Sequence, residues 1–111
     1  MTEEKKIRDQ DISSFYDVES WDEFAELSEL SSDLNKIREE VQNANLSIFA
    51  VQLSKVVEIL KVDPWQGMRQ LDRLSSFVIN AADRDPSIYL PARLLLSIRI
   101  KLQKRLSEMR G

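Results

Sequence analysis

The sequence predicts an all-α protein, a small bundle of about four main helices, and three observations lead there. Apolar residues recur at alternating steps of three and four in four separate segments. Only two glycines and three prolines stand among 111 residues, too few for the turn chemistry of a hairpin-rich fold. Two Asp-Pro dipeptides, at 63–64 and 85–86, pair a capping carboxylate with the residue best suited to a first helical turn.

Residues 1–12 are charged without apolar period and read as a flexible tail, leaving 13–111 as a single helical domain. The first helix is expected over about 20–43. Ser20 and Glu23 have the spacing of a capping box, and Leu27, Leu30, Leu34, Ile37, Val41 and Ala44 form its seam. Ser31 and Ser32 mark a site for a kink, since serine side chains compete for backbone partners. The Asn-Ala-Asn at 43–45 reads as a turn.

A second helix, about 46–62, places Leu46, Phe49, Ala50, Leu53, Val56, Val57 and Leu60 on one face. At 100° per residue Ile48, Val51, Ile59 and Val62 fall on the other, so this helix is apolar on both sides. The third, about 64–82, carries Trp65, Met68, Leu71, Leu74, Val78 and Ala81. The fourth, about 88–109, carries Leu95, Ile98, Leu102, Leu106 and Met109, with Leu96 and Ile100 far around from that stripe.

Charge is divided along the chain. Residues 1–40 hold 13 acidic and 5 basic side chains, a balance of −8, and residues 41–111 hold 6 and 11, a balance of +5. Either the halves attract each other or each serves its own partner. No apolar run approaches the roughly 18–20 residues that span a bilayer, and the N-terminal stretch lacks a secretory core, so the reading is cytoplasmic with no membrane. The lack of cysteine is compatible with a reducing compartment.

Histidine is absent as well, which removes the common nucleophile, base and transition-metal constellations. Neither Gly67 nor Gly111 lies in a phosphate-cradling loop. What remains is carboxylate chemistry. Glu19, Asp22, Glu23, Glu26 and Glu29 resemble one glutamate cluster of the all-α nucleotide pyrophosphohydrolases of the MazG type, which hold Mg²⁺ between two helices. The partner cluster is missing, because the second helix offers only Glu58 and the third only Asp72 before its end. No cofactor and no metal site are expected.

Residues 92–111 contain six basic side chains and one acidic, Glu108, and Arg93, Lys101, Lys104 and Arg105 are the candidates for nucleic-acid contact. The strings Asp63-Pro64-Trp65 and Trp21 to Phe24 resemble short motifs of endocytic adaptor ligands, although a capped helix start with a buried tryptophan explains the first equally well.

Residues 11–27 place Phe15, Tyr16, Trp21 and Phe24 among six carboxylates. Three readings stand: the first turns of a core helix, a detachable arm whose aromatics anchor in a partner while its acids steer, or a row of carboxylates imitating a phosphate backbone. The function read from the whole is a non-catalytic protein-protein interaction module, an adaptor, assembly subunit or regulatory cofactor of a larger cytosolic complex. Phe15, Tyr16, Trp21, Asp22, Phe24, Glu26, Leu96 and Ile100 are its candidate partner residues, and a homodimer or a heteromeric complex its setting. A nucleic-acid accessory protein is the alternative, and a Mg²⁺-dependent pyrophosphohydrolase the third.

Overall fold

The computed structural model describes residues 17–110. The expected charged tail, together with Phe15 and Tyr16, lies outside the described residues. Four helices follow one another: α1 (Asp22–Glu40), α2 (Ala44–Val62), α3 (Pro64–Arg84) and α4 (Tyr89–Arg110). Single 3₁₀ turns, Val18–Ser20 and Pro86–Ile88, precede α1 and α4. Each helix packs on its neighbour in sequence, and α4 closes the ring on α1. The short connections force adjacent helices to run antiparallel, giving an up-down-up-down bundle. Among the described residues no helix is long and apolar enough to cross a membrane.

The helix starts are built as their chemistry dictates, with one exception. Asn43 accepts from the Leu46 N–H at 3.0 Å, and Asp63 accepts from Trp65 and Gln66 N–H at 3.2 Å each. Asp85 takes the Ser87 N–H at 3.1 Å, and the Asn43 amide donates to Asp85 at 2.8 Å, tying the first and last connections together. The exception is α1. Its N-cap is Trp21 with no side-chain bond, while Ser20 Oγ donates backwards to the Asp17 carbonyl at 2.8 Å. The capping box does not form, because Glu23 is turned instead toward α4.

The helix is not interrupted at Ser31 and Ser32, α1 running unbroken from Asp22 to Glu40. Ser31 is buried and meets Ser54 at 3.1 Å, and the Asn35 amide donates to both the Ser31 carbonyl and Ser54 at 2.9 Å. The serine thus bonds across to α2 rather than breaking its own helix. The seam holds through Leu34 and then fails. Ile37 is 41% exposed at the edge facing α4, and Val41, already extended backbone beyond the helix, is 48% exposed. Ala44 is exposed too.

The core is one cluster drawn from all four helices, with Leu27, Phe49, Leu53, Leu60, Leu71, Val78, Leu95 and Leu102 sealed. Between α2 and α3 only Asp63 intervenes, so the two backbones meet closely at that corner. Gly67 is the residue that permits it: a Cβ there would lie 2.6 Å from Leu60 Cγ and 2.9 Å from Leu60 Cα. The glycine is a packing requirement of the corner.

Candidate interaction surfaces

The acidic first helix and the basic last helix attract each other directly. Arg105 donates to Glu23 through both arms of its guanidinium, at 2.8 and 3.2 Å, and that guanidinium also sits 5.2 Å from the centre of the Trp21 ring. One turn along, Lys101 donates to both Glu26 oxygens at 3.1 and 3.2 Å. On the other flank of α4, Arg99 lies 2.9 Å from Asp72 of α3. Of the four cations read as nucleic-acid contacts, Lys101 and Arg105 are therefore engaged inside the bundle. Arg93 stacks over Tyr89 at 5.8 Å, and Lys104 is exposed with no ion pair among the described residues.

This pairing carries two expected results. Arg105→Ala removes a bidentate charged bond and the cover over Trp21, and should cost about 1–2 kcal/mol in denaturant titration, a modest value because the arginine is partly exposed. Arg105→Lys should recover only part of that, since an ammonium neither forks nor stacks in the same way. The second result concerns acid. Burial pushes the Glu23 carboxyl up, but the hydrogen bonds from Arg105 and the charges of Arg105 and Lys101 outweigh it and leave it below its ordinary value. Hydrogen bonds from Ser87 and Asn43 likewise hold Asp85 low. A lowered carboxyl contributes stability that is complete above its unfolded value and is lost as pH falls through the folded one. Urea midpoints of wild type and Glu23→Gln should thus differ at neutral pH and converge as pH falls below about 4.5.

The partner residues read from the sequence are not brought together. Trp21 and Phe24 are interior, 3% and 6% exposed, because the first turn of α1 closes one end of the core. Of the three readings of this stretch, the burial of both side chains agrees with the first turns of a core helix and leaves neither exposed as a partner anchor. Asp22 faces solvent, and Glu26 pairs with Lys101. On α4, Leu96 is half-buried while Ile100 is 65% exposed. Trp65, expected to be buried, is partly exposed at the start of α3.

Two apolar surfaces take their place. Leu90 and Leu94 of α4 are 70% and 57% exposed, and the antiparallel register fixed by the Glu23 and Glu26 pairs sets Ile37 of α1 opposite them. The second surface belongs to α2. Ile48, Val51 and Val62 stand exposed on its outer face, and beside them Ile48 and Ile59 join Leu74 and Phe77 of α3 in an open groove of about 360 Å³. The α2 half of this surface was signalled by the two-sided apolar pattern. Phe77 had no signal of its own, since Leu74 and Val78 already completed the α3 stripe.

Among the described residues no three carboxylates gather closely enough to hold a metal ion. The acidic side chains of α1 face α4 or solvent, and Glu58 pairs with Lys61 at 3.5 Å. The chain matches no family model, no curated protein and no solved structure.

Proposed function

We infer that the chain is a non-catalytic protein-protein interaction module, an adaptor, assembly subunit or regulatory cofactor that joins a larger cytosolic complex through the outer face of α2 and the groove beside it. One observation carries this reading. Seven α2 side chains, Leu46, Phe49, Ala50, Leu53, Val56, Val57 and Leu60, already fill the core, and yet Ile48, Val51 and Val62 stand on the opposite face. Single exposed apolar residues are ordinary on any surface; a row along one helix continuous with a groove is what an interface uses. The chain also has neither histidine nor cysteine, which leaves recognition a better use of its surface than covalent or metal chemistry. A nucleic-acid role for α4 is the weaker alternative, because two of its four candidate cations are held by α1.

Gel filtration of a native-host extract tests the reading. Wild type should migrate in an assembly well above its 12.9 kDa, and a variant carrying Ile48→Glu and Val51→Glu should migrate as the free chain. Wild type eluting alone would count against an interaction module, and an unmoved double variant would count against this face.

A further inference from the structure

The groove between α2 and α3 has a composition that selects its occupant. Its apolar lining is Ile48, Val56, Ile59, Leu74 and Phe77, Gln52 and Gln70 add uncharged polar groups, and its charged residues are Lys55 and Arg73. No carboxylate lines it. Neither cation enters an ion pair among the described residues, in contrast to Lys101 and Arg105 on α4. From Ile48 to Ile59 the groove follows α2 for roughly 16 Å at 1.5 Å per residue, the length of about three helical turns.

An apolar channel of that length between cations fits one kind of ligand: an amphipathic helix whose apolar stripe is flanked by carboxylates. A second copy of this chain does not supply it. The apolar stripe of α1, the acidic helix, is inside its own core through Leu34 and leaves only Ile37 exposed beyond it, too short for the groove; the exposed apolar residues of α4 stand beside Arg93 and Lys104; and pairing two copies groove to groove would bring two sets of Lys55 and Arg73 together. We propose that the α2 and α3 groove docks an acidic amphipathic helix of another protein, with Lys55 and Arg73 reading the carboxylates on its two flanks. This rests on the interaction-module reading and names the chemistry of the partner.

The probes are two synthetic helical peptides sharing a leucine stripe, one flanked by glutamates and one by lysines, titrated onto the full chain by fluorescence anisotropy and mapped by amide chemical shifts. The glutamate peptide should bind, perturb residues along α2 and α3, and weaken as salt rises. The lysine peptide should bind at least roughly tenfold less tightly. Lys55→Glu combined with Arg73→Glu changes only exposed charges, should leave the circular dichroism spectrum intact, and should invert the preference.

Equal affinity for both peptides, binding to neither, or shifts confined to α1 and α4 would overturn the proposal. So would two other results. A labelled single-stranded oligonucleotide that outcompetes the glutamate peptide, through the same two cations, would make the groove a phosphate surface. A chain beginning at Asp17 that binds the peptide more than about tenfold tighter than the full chain would make residues 1–16 the natural occupant. The broader reading has its own readout. If the charge-reversed variant keeps its assembly in native extract while Ile48→Glu with Val51→Glu loses it, the partner chemistry is wrong and the interaction face stands.

Discussion

Replacing Trp21 by alanine should destabilise the protein by about 3–5 kcal/mol, the cost of deleting a large aromatic from a closed interior. Trp21 is 3% exposed, occupies the N-cap of α1, and carries the Arg105 guanidinium over its ring. Its removal therefore opens a void at the end of the core and takes away the surface on which the Glu23 and Arg105 pair rests. Trp21→Phe should cost much less. The Trp21 Nε1–H is buried with no hydrogen-bond partner among the described residues, so phenylalanine keeps most of the packing and removes that donor. Urea titration of both variants beside wild type checks this ordering. An unfolding midpoint untouched by Trp21→Ala would mean that the aromatic is not part of the core at all.

Gly67→Ala should also destabilise, by about 1–3 kcal/mol, and the sign is the informative part. Position 67 lies in the first turns of α3, where intrinsic propensity alone would have alanine stabilise the helix by about 1 kcal/mol. The structure opposes that gain with a Cβ less than 3 Å from the Leu60 side chain and its Cα. Leu60 is fully buried and cannot swing aside, and the single-residue connection at Asp63 prevents α3 from retreating without disturbing the cap. Thermal unfolding of Gly67→Ala decides between propensity and packing. A raised melting temperature would show that the corner has room to spare.

These two residues also mark what was legible before the fold was known. The helices were, because a 3.6-residue period and Asp-Pro starts are local properties, and α2, α3 and α4 begin within two residues of the expected positions. The core face of α2 was equally clear, every one of its seven predicted residues being buried. Neighbour relations were not. Glu23 fits a capping box by spacing, but its partner is Arg105, 82 residues away, and no local pattern carries that information. Ile37 fits the α1 seam by spacing and yet is 41% exposed, near the end of its helix. Gly67 carries no local sign of its role, since the approach of Leu60 is a property of the corner and not of α3.

The same distinction explains the fate of the candidate sites. The aromatic and acidic stretch admits three readings because a helix with that composition can serve its own core or another protein's. Trp21 and Phe24 sit in their own core, and the carboxylates of Glu23 and Glu26 answer cations of α4. With those residues used internally, the proposed interaction role rests on side chains that the bundle does not need, above all those on the outer face of α2.

Equilibrium unfolding of the chain carrying Ile48→Glu and Val51→Glu tests that claim most directly. If the outer face of α2 is surplus to the fold, the two charges meet solvent, and the double variant should unfold within about 1 kcal/mol of wild type with an unchanged helical spectrum. A loss of several kcal/mol would mean that Ile48 and Val51 hold the bundle together, and the surface assigned to a partner would be part of the core.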